Sequence, residues 1–283
     1  MLQIQDVRKT YPGFNLEVSM EVQAGRITGL IGANGAGKST LFKAILSLIH
    51  TEGGTILLNG KNVASMTAAE KQKIGTVMTG SGFSSYLKVK DVRKILKAMY
   101  PTFDTVRFDQ KSRSFGLDPE KKIKELSTGL KARLQVLSAL CHKAEILLLD
   151  EPTAGLDVIA RDEVYNLIRE FMEEDENRSV LISSHISSDL ELLCDEMYMI
   201  DKGKIILHGE ADRLFTDYAI LKLTKEDFAS LDKKYLLRLR EEPYGYCALT
   251  DQQAFYRENY PGMVMEKAGL DEVIRMMVKG DRL

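Results

Sequence analysis

Cysteine is scarce in this 283-residue chain, and the three present, Cys141, Cys194 and Cys247, are odd in number, far apart and never in a CxxC pair. They offer no disulfide framework and no thiolate metal signature, and they predict reduced thiols, as in a cytosolic protein. Long apolar runs are missing as well. Nowhere is there a run of about 18 apolar residues, so no segment is expected to span a bilayer, and any membrane role must come through a partner. The opening MLQIQDVRKT carries Asp6, Arg8 and Lys9 ahead of any apolar stretch, unlike a secretory leader. Neither sign of charge is in excess. With 39 basic and 41 acidic side chains the formal net charge is −2, which gives no pull toward nucleic acid. No internal repeat, low-complexity tract or long linker interrupts the chain. What remains, 44% hydrophobic and 28% charged residues, suits a globular protein with a sizeable core, in one large domain or one domain plus a small one.

Residues 2–23 alternate apolar and polar positions (Leu2, Ile4, Val7; then Leu16, Val18, Met20, Val22), which predicts two antiparallel strands about a turn at Pro12 and Gly13. RITGLIG (26–32) reads as a short strand running into a glycine-rich loop, and STLFKAILSLIH (39–50) has helical periodicity. GGTILLNG (53–60) and KIGTVM (73–78) read as strands. From 88 to 126 the pattern is mostly helical, broken at Pro101 and Pro119, and a long helix is expected over 127–142. AEILLLD (144–150) and SVLISSH (179–185) are strongly apolar strands with the helix DVIARDEVYNLIREFMEE between them. Strands alternating with helices predict a parallel sheet covered on both faces. MYMIDKGKIILHG (197–209) reads as a hairpin turning at Lys202 and Gly203. Beyond about Leu214 strands mix with short helices, as in a small α+β appendix.

Three stretches carry chemistry. Gly32, Ala33, Asn34, Gly35, Ala36, Gly37, Lys38 and Ser39 match GxxxxGK[ST], followed by Thr40. Glycines let the backbone curl until consecutive N–H groups face one phosphate chain, and the helix that follows presents its N-terminus to the same anion. Lys38 is expected to reach the β- and γ-phosphates and the Ser39 hydroxyl to ligate Mg²⁺. An apolar strand before the loop and an amphipathic helix after it supply the context the motif requires. Second, ILLLDEPTAGLD (146–157) puts Asp150 and Glu151 at the carboxyl end of a buried strand, the edge where open α/β sheets bind ligands. Adjacent carboxylates there call for a positive partner, which a Mg²⁺–nucleotide supplies. Asp150 is assigned to the Mg²⁺ through its water shell and Glu151 to the attacking water. His185 closes the next strand on the same edge. It is either a structural strand end or a hydrogen-bond partner of the γ-phosphate or the water.

The third stretch is KELSTGLKAR (124–133). Ser127 is a good N-cap, and Leu130, Leu134, Leu137 and Cys141 recur on one helical face. Lys131 and Arg133 sit at the end of a helix that already favours anions, and they either add to that positive field or are simply solvated.

In this order the pieces resemble the nucleotide-binding subunit of an ABC transporter over roughly residues 1–212. The resemblance implies a P-loop NTPase fold with a parallel core sheet, an N-terminal antiparallel β subdomain and a helical subdomain at about 85–142. Residues 213–283 would be a small C-terminal α+β accessory domain. Residues 32–40 resemble Walker A, 146–151 Walker B with the catalytic Glu151, Ala154 to Asp157 the D-loop, and His185 the switch histidine. Tyr11 falls where the family places an aromatic that stacks on adenine. LSTGL (126–130) takes the place of the LSGGQ signature; Ser127 and Gly129 are kept, while Thr128 and Leu130 depart from it. Thr79 stands where the family's Q-loop has glutamine, with Ser81 as a substitute acting through water. The implied ligands are ATP and Mg²⁺, with Lys38, Glu151 and His185 as the hydrolytic residues. The implied partners are a second ATPase subunit, in a homo- or heterodimer, and a separate transmembrane permease subunit, without nucleic acid. The implied location is cytoplasmic, on the inner face of the membrane. The degenerate signature and the appendix are most similar to ABC-2-type bacterial exporters of antimicrobial peptides or phenol-soluble modulins. The alternative is a soluble ABC-type ATPase of translation, repair or cluster assembly.

Overall fold

The computed structural model of the chain describes residues 1–80 and 82–281. Strands β1 (Leu2–Tyr11) and β2 (Phe14–Val22) form the expected antiparallel pair about Pro12 and Gly13. β3 (Ile27–Ile31) leads through the glycine-rich loop into α1 (Lys38–Ile45), which is shorter than its periodicity suggests. Ser47 takes up a left-handed conformation (φ 54°) and ends it. β4 (Gly53–Leu58), β5 (Lys61–Asn62), α2 (Ala68–Lys71) and β6 (Ile74–Val77) follow. Then come α3 (Val89–Met99), α4 (Thr105–Ser114) and α5 (Thr128–Leu140), with breaks around Pro101 and Pro119. β7 (Ile146–Asp150), α6 (Val158–Glu173), β8 (Ser179–Ser184), α7 (Ser187–Glu191), β9 (Glu196–Asp201) and β10 (Lys204–Glu210) complete the larger part. The remainder holds α8 (Ala211–Thr216), β11 (Ala219–Leu223), α9 (Lys225–Ser230), β12 (Leu236–Glu242) and β13 (Gly245–Thr250). It closes with α10 (Gln253–Asn259), β14 (Val264–Lys267) and α11 (Leu270–Lys279).

One ten-stranded sheet runs β5-β4-β1-β2-β10-β9-β3-β8-β7-β6. The strands β9, β3, β8, β7 and β6 pair in parallel, whereas β4, β1 and β2 pair antiparallel. The antiparallel region is continuous with the parallel core through β10, which pairs β9 antiparallel and touches β2 at Lys204 and Glu17. Successive residues of β7 face opposite cores: Ile146 and Leu148 join the side built on β1, β2 and α1, while Leu147 and Leu149 join the side built on α5 and α6. That double burial is why the segment reads as an unbroken apolar run. The parallel strands all end on one edge, and the loops after β3, β6, β7 and β8 gather there.

The last 70 or so residues, as the sequence suggested, are strands mixed with short helices. β12-β13-β11-β14 make a four-stranded antiparallel sheet. One face of it, through Ile220, Cys247 and Leu249, is contiguous with the main core, and the other buries Leu221, Leu223, Ala248 and Tyr256 in a core of its own.

Helix α5 is wedged between two cores, where the sequence displayed one apolar face. Leu134, Leu137 and Cys141 pack with α3 and α4 residues such as Val92 and Phe108, while Ala132, Val136 and Ala139 pack into the central core. All three cysteines are free and buried. Burial pushes the Cys141 thiol up to about 12, so it behaves as a small apolar residue. Leu137 is fully buried in the seam between α5 and the α3–α4 pair. Leu137→Ala should therefore lower unfolding stability by about 2–5 kcal/mol, measured as a shift in urea denaturation at unchanged slope.

Candidate functional site

The loop between β3 and α1 is shaped by contacts that only glycine satisfies at two points. A Cβ on Gly32 would lie 2.4 Å from the Ile200 carbonyl oxygen. Gly37, the residue before α1, has φ 119°, with the Phe14 ring directly against it. The hairpin between β9 and β10 braces the loop from behind, the Gly203 N–H donating to the Ala36 carbonyl at 2.8 Å. The front opens into a cavity of roughly 270 Å³ walled by the loop itself, by Ser39 and Thr40, and by Phe14, Thr79 and Glu151.

Lys38 begins α1 and is only 5% exposed. Its ammonium donates to the carbonyls of Gly32 (2.6 Å) and Ala33 (3.3 Å) and pairs with Glu151 Oε1 at 3.1 Å. The other Glu151 oxygen lies 2.6 Å from His185 Nδ1. A lysine, a carboxylate and an imidazole from three separate loops thus form one chain across the cavity mouth. Glu151 holds a left-handed backbone (φ 53°), uncommon for a residue with a side chain and characteristic of functional sites. Its N–H is fixed by Ser183, at 3.2 Å to the carbonyl and 3.0 Å to the hydroxyl.

Asp150 is sealed at the end of β7. The Ser183 hydroxyl donates to its Oδ1 (2.8 Å), and the Thr79 hydroxyl donates to its main-chain carbonyl (2.9 Å). Its Oδ2 is buried with no hydrogen-bond partner among the described residues. An unpaired carboxylate oxygen beside a hydroxyl-bearing phosphate loop fits a hydrated Mg²⁺. So does the donor set, one carboxylate and a serine hydroxyl, since Mg²⁺ characteristically relies on one or two protein ligands plus phosphates.

Ser127, Gly129 and Asp157 are absent from the cavity walls. Ser127 caps α5, accepting from the Leu130 N–H (3.2 Å), and Asp157 caps α6, accepting from the Ala160 N–H (2.8 Å). The two helix starts touch, since a Cβ on Gly129 would lie 3.2 Å from the Ala160 Cβ. Both caps face solvent, next to the exposed apolar side chains Val158 and Ile159, 71% and 72% accessible. Arg133 neither joins a positive field nor stands in water. It pairs with Glu163 of α6 and lies over the Phe115 ring, which ties α5 to its neighbours.

Tyr11 stands at the end of β1, 39% exposed, with the Lys9 ammonium 5.3 Å from its ring centre. Its partner across the hairpin, Phe14, lines the cavity instead. Phe14 went unnoticed in the sequence, although it sits just past the Pro-Gly turn. Ser183 and Thr153 also went unnoticed, their only signal being a small hydroxyl residue beside a motif. Thr79 does reach the site, through Asp150, whereas Ser81 lies outside the described residues.

The family described as ABC transporter matches residues 16–154. The ABC transporter ATP-binding protein YtrB of Bacillus subtilis is 29% identical over 244 residues, spanning 86% of this chain and 81% of the relative. The lantibiotic transport ATP-binding protein SrtF of Streptococcus pyogenes is 33% identical over 215 residues, spanning 75% of this chain and 92% of the relative. Among solved structures, a dimeric ATP-binding cassette in a post-hydrolysis state bound to ADP and Pi shares the fold, with a TM-score of 0.66 at 20% identity over 75% of this chain and 99% of its own.

Because Lys38 is shared between the loop and Glu151, a phosphate must compete with that carboxylate for the ammonium. Glu151→Gln should therefore bind ATP at least as tightly as the native chain, by titration of a fluorescent analogue. Weaker binding would show that the carboxylate supports the nucleotide rather than competing with it.

Proposed function

The chain belongs to the ABC transporter ATP-binding family, ATPase subunits whose hydrolysis is coupled to transport, and on that premise we propose how this one works. Two subunits close on two ATP molecules, and the cycle drives a separate membrane permease that exports peptides or amphipathic toxins. The observation that carries this reading is the Lys38–Glu151–His185 chain at the mouth of a glycine-rich phosphate loop, with an open Asp150 oxygen beside it.

In this reading the N–H groups of residues 32–40 and the start of α1 hold the phosphates, and Lys38 neutralises the β- and γ-groups. Ser39 and Asp150 hold the Mg²⁺, which supplies charge neutralisation on the phosphates. Phosphate binding draws Lys38 away from Glu151 and leaves that carboxylate to take the proton of the attacking water. His185, already hydrogen-bonded to Glu151, orients the water or the γ-phosphate. Tyr11, across the hairpin from the cavity-lining Phe14, stacks on the adenine.

Ser127 and Gly129 meet the partner subunit's nucleotide, and Asp157 lies at the seam. Support comes from the solvent-facing positions of Ser127 and Asp157 and from Val158 and Ile159, apolar side chains that a second subunit would cover. In this reading the permease is a separate chain and this subunit sits on its cytoplasmic side; no helix among the described residues is long and apolar enough to cross a membrane. A groove of roughly 230 Å³, bordered by Phe83, Ile95 and Met99 and adjoining the segment after Thr79, suits the permease as a docking surface. The proposed peptide class is supported by the similarity to SrtF, a lantibiotic transport ATP-binding protein. Residues 213–283 act as an accessory unit.

Two substitutions test the split site. Glu151→Gln should abolish measurable turnover while trapping an ATP-dependent dimer in size-exclusion chromatography. Ser127→Arg should leave ATP binding by the single subunit intact and abolish both the dimer and its turnover. Loss of ATP binding in Ser127→Arg would put this helix at the wrong nucleotide.

A further inference from the structure

Behind the catalytic pair lies a second polar cluster. Asp189, in the short helix α7, is 1% exposed. Its Oδ1 accepts from Arg161 Nη1 at 2.9 Å, and its Oδ2 accepts from the Thr153 hydroxyl at 2.8 Å and from the Ser184 hydroxyl at 3.4 Å. Arg161 uses its other terminal nitrogen on the Leu156 carbonyl, at 3.3 Å. A carboxylate this deeply buried is costly unless its charge and both oxygens are answered, and here they are.

What the carboxylate joins is more telling than that it is satisfied. Thr153 belongs to the tight turn that starts at Glu151, where the Ala154 N–H donates to the Glu151 carbonyl at 3.2 Å. Leu156 immediately precedes Asp157. Ser184 immediately precedes His185, and its hydroxyl also accepts from the Ile186 N–H at 2.9 Å, so His185 is bracketed between two residues pinned by one oxygen. One side chain therefore fixes two loops relative to one another: the one between β7 and α6, which carries both Glu151 and Asp157, and the one between β8 and α7, which carries His185.

We infer that Asp189 is a positioning residue for hydrolysis, holding the Glu151–His185 pair in register and tying it to Asp157 at the far end of the Glu151 loop. This rests on the reading of Glu151 and His185 as hydrolytic residues. The geometry also gives the route by which closure against a partner reaches the chain's own water-activating pair: from Asp157 through Leu156 and Arg161 to Asp189, then to Ser184 and Thr153.

The test measures steady-state ATP hydrolysis and nucleotide affinity on the full chain. Asp189→Asn and the isosteric Thr153→Val should each lower kcat about ten- to hundredfold, with KM and affinity for a fluorescent ATP analogue within about twofold of native. Thr153→Ser, which keeps the hydroxyl, should restore kcat, and the double variant should fall no further than the worse single one. The inference is overturned if both single variants keep native kcat beside a hydrolysing native chain. It is equally overturned if their losses multiply in the double variant, or if nucleotide affinity falls in step with kcat. A native chain that hydrolyses no ATP would overturn the functional reading and this inference with it. Thr153→Val preserves side-chain volume, so it decides the matter even if Asp189→Asn does not fold.

Discussion

The ammonium of Lys38 is the point on which the site turns. It is nearly sealed from solvent, gives its protons to two carbonyls of its own loop, and forms an ion pair with Glu151. A buried cation with that set of partners defines the curl of the loop, the start of α1 and the orientation of the carboxylate after β7. It also makes the arrangement self-complementary, with the Lys38 cation already paired to a carboxylate. Under the proposed function, nucleotide binding exchanges one anion for another around a fixed charge and frees Glu151. Little rearrangement of the scaffold is needed, since Glu151 is anchored through its main chain to Ser183.

Helix α6 extends that arrangement to the surface. Its first residues follow the exposed Asp157 cap, its Ala160 abuts Gly129 at the start of α5, its Arg161 grips Asp189, and its Glu163 grips Arg133. A single rigid element therefore touches the start of α5, the loop that ends at Asp157 and the support beneath His185. Such an element transmits small displacements because packed helices slide or tilt as bodies and do not deform locally.

The legible parts of the chain were those where local chemistry and periodicity agree. GANGAGKST declares its loop because its glycine spacing lets the backbone curl around phosphates, and ILLLD and SVLISS declare buried parallel strands by their apolar runs. The parallel core, the hairpins and the appendix were readable for the same reason. The shortness of α1 was hidden because its stop is a serine in a left-handed conformation, where a glycine would have signalled it. The two-sided burial of α5 was hidden because its second face is written in alanine and valine, Ala132, Val136 and Ala139, which read as neutral filler. Phe14, Ser183 and Asp189 could not be found by pattern at all. Their roles come from contacts between residues far apart in sequence, such as Ser183 with Asp150 and Asp189 with Thr153.

The small C-terminal sheet has two apolar faces, and only one belongs to it alone. The other completes the main core, with Ile220, Cys247 and Leu249 in one cluster with Ala211 and Leu214. A module attached in this way has no hinge to swing on, and removing it would leave apolar surface of the ATPase body in water. Whatever acts on that sheet is therefore felt by the nucleotide-binding part as a change in how firmly its own core is held, a thermodynamic signal in place of a moving domain.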